Sequence, residues 1–457
     1  MRRATQPIPK PAAHAGTGQG ASAWRTGSSL SMILGAIVFA GAIIPGPSSR
    51  PGLLLAASLI LVAAGAVGRA AAVYLSRPAG IRNEYVMSRG LTTQGPGAWP
   101  IAAIFMLFYV THYWFPRTHE NLNALMDPLS QLLRTREASI YFSYAALYTF
   151  AILVMGVRAW IRYRHSRYHL TRTGVNMGAQ LIAAFLIPAF LTAIDEPQKY
   201  VNYFWPLSQE DIFPSTVAYM LKPQFKLGVF LLFWSIALSF VGVPLLAFAF
   251  GKRWYCSWVC GCGALANTLG DRWRHLSDKR LSAWRFERIS IYSVLVLIVT
   301  ITALLWLGAL TGSGFLEAVS AKAATWYGAA IMSVWAGVLG TGLYSLMGTR
   351  VWCRFGCPQA AILGILQKRF SRFRITTNGS QCMSCGHCSA YCEMGIDVRW
   401  YAQRGQNIVR ASCVGCGMCA SVCPRGVLRL ENGPRNNRFS GSIDPAGSRK
   451  GVQNRRE

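Results

Sequence analysis

For its first 255 residues the chain contains no cysteine, and all thirteen cysteines lie between Cys256 and Cys423. Thiols used as general core filler would be scattered, so this confinement marks a dedicated chemistry. Charge is scarce as well: 14% of the 457 residues are charged and 52% are hydrophobic, whereas an ordinary soluble domain carries about a quarter charged residues. That shortage excludes a conventional water-soluble enzyme and points to a polytopic α-helical membrane protein. Acidic residues are the rarer sign, 17 against 46 Lys and Arg. No P-loop, no G-x-G-x-x-G fingerprint in a strand–turn–helix setting and no G-x-S-x-G elbow occurs, which leaves no site for a nucleotide or a hydride donor of the chain's own. Only one histidine, His112, falls inside an apolar run, and a bis-histidine haem within the bilayer would need a second.

Apolar runs long enough to cross a bilayer are expected at about 28–46, 52–75, 98–115, 138–160, 174–194, 227–250, 288–311 and 323–347, about eight spans. The first run is short and the second holds Arg69, so this pair also reads as a re-entrant hairpin. Residues 1–27, rich in Pro, Gly, Ala, Ser and Thr with Arg2, Arg3, Lys10 and Arg25, read as a disordered basic tail. With the N-terminus inside, nearly all the surplus positive charge falls on inner segments, most clearly around Arg158, Arg162, Arg164 and Arg167. Both termini and every cysteine motif then face the cytoplasm. Basic loops beside apolar spans set topology and attract anionic lipid, so the net charge of +29 indicates membrane lipid as a partner and no nucleic acid. The longest outer loop, about 195–226, carries Tyr200, Tyr203, Phe204 and Trp205, which read as headgroup-level aromatics or as a docking or quinone-access loop.

The cysteines organise the rest. Cys382, Cys385, Cys388 and Cys392 are answered by Cys413, Cys416, Cys419 and Cys423, both halves spaced C-x2-C-x2-C-x3-C. That is the rhythm by which bacterial-type ferredoxins hold two [4Fe–4S] clusters, the fourth cysteine of each run ligating the other cluster. The expected sets are Cys382, Cys385, Cys388 and Cys423 for one cluster, and Cys413, Cys416, Cys419 and Cys392 for the other. Zinc favours two C-x2-C pairs, and disulfides need an oxidising compartment. Ser384, Gly386, Gly415 and Gly417 let backbone N–H groups turn towards the sulfurs. Glu393 stands where proline usually follows the fourth cysteine, whereas Pro424 is present in the second half.

A second motif occurs twice at a constant offset of 97 residues. Gly251, Arg253, Tyr255, Cys256, Trp258, Cys260 and Ala264 correspond to Gly348, Arg350, Trp352, Cys353, Phe355, Cys357 and Ala361. Both copies follow an outside-to-inside helix, so the last four spans read as a parallel repeat. Cysteines at i and i+4 share a helical face. Two such faces would gather Cys256, Cys260, Cys353 and Cys357, with Arg253, Arg350 and Arg354 lowering their pKa values. This third site reads as an iron–sulfur cluster, a bound metal or a thiol/disulfide pair; the plain alternative is four buried inert thiols. Cys262 is an extra cysteine, with Gln359 at the matching place.

A membrane domain with two C-x3-C(P) motifs followed by a double [4Fe–4S] module resembles the NapH/NosR family of membrane polyferredoxins and the related RdxA/CcoG maturation proteins. Cys353, Arg354, Phe355, Gly356, Cys357 and Pro358 carry the pattern, and Cys256 to Cys260 follow it with Gly261 in place of the proline. The resemblance covers about 225–430. It implies electron transfer between the quinone pool and a respiratory reductase, or upkeep of one, in the bacterial inner (cytoplasmic) membrane. The flavin-carrying outer domain of NosR-type members has no counterpart here. The domain expectation is a four-span region at 28–173, a membrane core with the two C-x3-C motifs at 174–373, a C-terminal α+β 2[4Fe–4S] ferredoxin domain at 374–434 and a disordered tail at 435–457.

His112 also reads as a quinone-headgroup partner or an interfacial histidine bonded to a neighbour. His165 and His169 read as a solvated face, and His387 as a tuner of the first cluster or a bystander. Arg399, Arg404, Arg410 and Arg425 would attract an acidic redox partner or hold the module against headgroups. The leading functional expectation is a membrane electron conduit between the cytoplasmic clusters and quinone or a partner protein. The alternative is a maturation factor that reduces metal or thiols, for which the outer side offers scattered residues such as His119, Met126 and Met220. A redox sensor comes third.

Overall fold

The computed structural model of the chain describes residues 18–43, 51–75, 79, 94–433, 442–443 and 449–450. It is mostly helical: α1 (Gly18–Ile43), α2 (Pro51–Tyr74), α3 (Ala98–Trp114), α4 (Glu120–Arg134), α5 (Ile140–Arg162), α6 (Arg167–Ala193), α7 (Gly228–Phe250), α8 (Leu281–Thr311), α9 (Gly314–Gly342) and α10 (Pro358–Arg369). Among the described residues seven helices are long and apolar enough to cross a membrane: α2, α5 to α9, and α1 from Ala23. Large apolar side chains such as Leu53, Phe233 and Val296 point outwards, the pattern of a helix bundle solvated by lipid.

Three segments differ from expectation. Helix α1 starts at Gly18, so residues 18–27, read as tail, are helical; the rest of that tail lies outside the described residues. The final segment, also read as tail, includes the paired two-residue strands Ser442–Ile443 and Arg449–Lys450. The third apolar run is followed not by a loop but by α4, and α3 and Pro116–Arg134 are bent by 111° across the break. Leu122, Leu125, Met126, Ser130 and Arg134 of α4 are buried on one face, a spacing of three and four that marks an amphipathic helix.

The loop expected outside packs in part into the helix bundle. Trp205 Nε1 donates to Thr302 Oγ1 in mid-α8 at 3.2 Å, and Phe204 stacks on Trp254 at 6.3 Å. The Tyr255 hydroxyl donates to Asn202 O at 2.9 Å. Asn202 and Phe204 are buried among these partners, so the irregular backbone here is wrapped in protein. The headgroup-level reading of Tyr203 and Phe204 is therefore replaced by a core-filling one.

Helices α1 and α2 pack along small residues as two full-length helices. A Cβ at Gly65 would sit 2.6 Å from Ser28 O, so α1 rides directly on its backbone. Arg69 Nη1 donates to Ser29 Oγ at 2.5 Å and to Arg25 O at 3.4 Å, which satisfies the charge inside this span. Gly65→Leu is expected to cost about 1–3 kcal/mol by overpacking. The check is a lower thermal midpoint in detergent; an unchanged midpoint would rule out this contact.

The 97-residue repeat is visible in the backbone. Gly251 and Gly348 both take positive φ, 67° and 89°. Cys260 N donates to Tyr255 O at 2.9 Å and Cys357 N to Trp352 O at 3.0 Å. Each second cysteine is extended, with ψ of 131° and 113°, and caps the next helix, Gly261–Asn267 or α10. The i+4 pairs therefore do not share one straight helical face, as expected from spacing alone; a wider i→i+5 turn separates them.

The last described unit pairs β1 (Phe373–Thr377) antiparallel with β2 (Leu428–Asn432), Ile375 opposite Leu430. Between the strands lie two similar cysteine loops with short helices His387–Ala390 and Met418–Ser421. Their left-handed positions repeat: Ser384 and Gly415 (φ 58° and 62°), Gly386 and Gly417 (78° and 79°), Gly395 and Gly426 (64° and 61°). A side chain resists this conformation, so the small residues stand where the turns need them.

Candidate functional site

The eight cysteines of the C-terminal unit gather as two sets of four. Cys382, Cys385, Cys388 and Cys423 line one cavity; Cys392, Cys413, Cys416 and Cys419 line another. Each cavity takes three thiols from one loop and the fourth from the other, because β1 and β2 bring the two ends of the unit together. The remaining wall is small or mostly apolar, with Val427 and Leu428 at the first and Ile375, Met394 and Ile396 at the second. The N–H of Ile396 points at Cys392 Sγ at 3.4 Å. Four thiols with an inward N–H in an apolar shell fit a [4Fe–4S] cluster by donor chemistry.

The two cavities differ in exposure. At the first, Cys385 and Met383 are exposed, with Arg399, Arg404 and Arg425 exposed around the loop and His387 on its surface. The second is sealed by the membrane domain, and α6 supplies the seal. The Tyr168 hydroxyl donates to Gly415 O at 2.6 Å and Arg172 Nη1 to Cys416 O at 2.5 Å. His169 Nε2 lies 2.8 Å from Ser421 Oγ. His169 and Arg172 are wholly buried, which corrects the solvated-face reading of His169: the basic turn between α5 and α6 is a cradle for the cysteine unit. Gln367 Nε2 of α10 donates to Arg410 O and Cys413 O, both at 2.8 Å.

Cys256, Cys260, Cys353 and Cys357 are all buried, and they lie near enough for each to feel charge on others of the group. Of the three arginines expected here, only Arg350 faces the thiols, its Nη1 3.8 Å from Cys353 Sγ and 2.9 Å from Cys256 O. Arg253 lies over the Phe373 ring at 4.8 Å, and Arg354 Nε donates to Glu287 Oε2 at 2.8 Å. The expected lowering of thiol pKa values is therefore largely reversed. Burial pushes Cys256 up to about 12, against the pull of Lys252, and raises Cys353 and Cys357. Only Cys260 is lowered, to about 7, chiefly by its hydrogen bond with Cys262. The extra cysteine thus partners one member of the set.

Arg350 also links this group to the second cavity. Its Nη2 lies 2.9 Å from Glu393 Oε1 and 3.2 Å from Asn267 Oδ1; Arg274 Nη1 reaches Glu393 Oε2 at 3.5 Å. Glu393, directly after Cys392, is wholly buried. Its departure from proline is a docking device: the carboxylate enters the membrane domain, and Ser277 Oγ donates to its carbonyl at 2.6 Å. Asp271 continues the network with Arg162 Nη1 at 2.5 Å, Arg274 Nε at 3.0 Å and the Tyr163 hydroxyl at 2.6 Å. Burial pushes the Asp271 carboxyl up, but Arg162, Arg274 and Arg158 outweigh it and hold the group below the usual range. A depressed folded-state pKa contributes stability above the unfolded value, about 3.9, and loses it as pH falls through the folded value. The Asp271 contribution to docking is thus expected to be flat between pH 5 and 8 and to be lost only below about pH 4. Asp271→Asn should shrink the acid limb of the thermal midpoint measured against pH, leaving the part contributed by Glu393, which burial pushes up but Arg350 and Arg274 hold low.

At the other end of the bundle, His112 has a buried histidine neighbour. The turn Pro116–His119 folds His119 back onto it, the rings 5.9 Å apart at 88°, and both are buried. His119 Nε2 lies 3.2 Å from Thr111 Oγ1. Proline after the apolar run was the one sequence signal of this return.

Comparison with known proteins agrees with the cysteine chemistry. Residues 232–282 and again 327–377 match a family described as a 4Fe-4S binding domain, and residues 407–429 match a second family of the same description. The first covers both copies of the C-x3-C motif; the second covers the loop of Cys413, Cys416, Cys419 and Cys423. Over 180 residues the chain is 26% identical to the "Putative electron transport protein YccM" of Escherichia coli (strain K12), covering 36% of this chain and 46% of that protein. The alignment thus spans less than half the length of this relative. No solved structure matches. The chain carries 4Fe-4S-type ferredoxin domains on a scaffold of membrane-length helices.

Proposed function

We propose that the protein is a membrane-bound iron–sulfur electron carrier that passes electrons between a partner at the exposed cysteine cavity and the quinone pool or a membrane-bound redox partner. The observation that carries this is the order of the three cysteine groups. The first is open to solvent beneath exposed arginines, the second is sealed against α6, and the paired C-x3-C group lies beyond it across the Arg350–Glu393 contact. A [4Fe–4S] cluster supplies one-electron chemistry when bound. The ligand sets are Cys382, Cys385, Cys388 and Cys423 for the first, and Cys413, Cys416, Cys419 and Cys392 for the second. Cys256, Cys260, Cys353 and Cys357 form a third redox site, supported by the 4Fe-4S family match over both copies of the motif. The chain's own part is to bury, space and orient these groups while Arg399, Arg404 and Arg425 attract an acidic partner. The basic α5–α6 turn beside the second cavity supports a cytoplasmic placement of this end of the bundle in the bacterial inner membrane. Quinone enters from the likeness to NapH/NosR-type polyferredoxins. The domain scheme carried forward is a four-span region, a membrane core with the paired motifs and a ferredoxin unit at 374–434.

A maturation role, reducing a metal or thiol at the opposite face, is favoured by one observation, the buried His112–His119 pair. Iron and sulfide analysis of anaerobically purified protein, with EPR, tests the main reading. About eight irons per chain mean two cubanes and about twelve mean three; colourless, iron-free protein overturns it. Quinol-dependent reduction of the EPR signals separates the carrier from the maturation factor.

A further inference from the structure

A cleft of about 700 Å³ opens between the first turns of α8, the helix α10 and residues 395–412 of the cysteine unit, with Cys353 in its wall. Two carboxylates face it, and both are engaged. Glu287 is bonded by Arg354 and Ser412; Asp397 accepts from Ser389 Oγ at 2.6 Å. Five cations in the lining, Lys252, Lys279, Arg288, Lys368 and Arg410, have no carboxylate partner among the described residues. Lys252 is 1% exposed, and its ammonium donates to Ala411 O at 3.2 Å. Trp284 holds two of the others at the mouth, with Arg288 5.2 Å and Arg410 5.0 Å from its ring.

Cations of one sign around a concave, partly desolvated hollow repel one another and focus their field into it, so the hollow favours an anion. Guanidinium forks match phosphate oxygens better than a single ammonium does. The setting narrows the source. At 31 residues, α8 is about 46 Å long, well beyond a hydrocarbon core of about 30 Å. Its charged residues, Arg285, Glu287 and Arg288, all lie in the first turns, so this end is the one that projects into the headgroup layer, with Leu281 and Ile289 exposed beside the cleft.

We propose that this cleft binds a phosphoryl group, from an anionic phospholipid headgroup or a soluble phosphate ester, and that the bound anion clamps the cysteine unit to α8. The proposal needs no cluster and stands apart from the electron-transfer reading. The test uses the full chain in nanodiscs of phosphatidylcholine alone, of phosphatidylcholine with phosphatidylglycerol, or of phosphatidylcholine with added inorganic phosphate. The expected result is a raised thermal midpoint with phosphatidylglycerol or with phosphate: the first identifies lipid, the second a soluble ester. Arg288→Gln/Arg410→Gln should weaken the apparent affinity about tenfold or more, whereas Lys222→Gln/Lys226→Gln, in the loop before α7, should leave it unchanged. If the double variant does not accumulate, Lys368→Gln on the exposed rim is read in the same way. A midpoint indifferent to both anions, or equal responses in wild type and cleft variants, overturns the proposal.

Discussion

Cys416→Ser is expected to abolish electron passage from the exposed cavity to the membrane domain while leaving the protein folded and inserted. Cys416 lines the second cavity with Cys392, Cys413 and Cys419, so its loss leaves three thiols where a cubane needs four. Serine nearly conserves side-chain volume, and the contacts that seal this loop are made by backbone: Arg172 on Cys416 O and Tyr168 on Gly415 O. The cradle should therefore persist. Iron should fall by about four per chain, quinol-dependent turnover should drop to background, and the α-helical signal and membrane yield should hold. Wild-type turnover with full iron would remove Cys416 from the site. Loss of the protein from the membrane would instead show that this loop is needed for assembly.

The second large effect is expected at Arg350. Replacing it with methionine leaves Glu393 buried, with Arg274 at 3.5 Å as its remaining direct partner, and strips the contacts to Cys256 O and Asn267 Oδ1. Removing one member of a buried pair typically costs about 3–5 kcal/mol, because the other charge stays desolvated and uncompensated. The variant should unfold at a clearly lower temperature and expose the linker before the cysteine unit to protease. Adding Glu393→Gln should recover much of the loss, since the orphaned charge is then gone; a double-mutant cycle measures that coupling. Simple additivity of the two substitutions would mean that Arg350 and Glu393 do not act as a pair. Glu393→Pro, which restores the residue usual after a fourth cysteine, should weaken docking as well.

Much of the local architecture was legible because it is written in short-range patterns. Seven of the eight apolar runs are helices of membrane length among the described residues, within a few residues at most ends, because span length follows from bilayer thickness. The run at 98–115 is the first arm of a bent pair. The two cysteine loops line separate cavities, each with three thiols of one loop and one of the other, because loop reach leaves the fourth cysteine too far from its own three. The 97-residue repeat was visible as matched letters and reappears as matched backbone turns. Less legible were features set by what a residue meets after the chain folds back. His169 reads as part of a solvated face because nothing near it in sequence is apolar enough to bury it; its partner is Ser421, and Arg172 one turn on meets Cys416. Likewise His119 looked like a stray outer residue until the proline turn laid it against His112. The thiol pKa values at the paired motif follow burial more than neighbouring arginines, because only Arg350 points at the thiols.

The sequence by itself determined that this is a helical membrane-type protein with a terminal unit built around eight regularly spaced cysteines. Spacing, hydropathy and turn residues act within a few positions of each other, so no distant information is required. Only the tertiary structure decided that Glu393 is a docking carboxylate, that the α5–α6 turn is a cradle and that the segment after α6 packs in part into the bundle. Those roles come from buried polar groups finding partners far along the chain, 43 residues away for Arg350 and more than 240 for Arg172. Desolvation makes such pairings obligatory once the fold is closed, but no local pattern announces which ones will form.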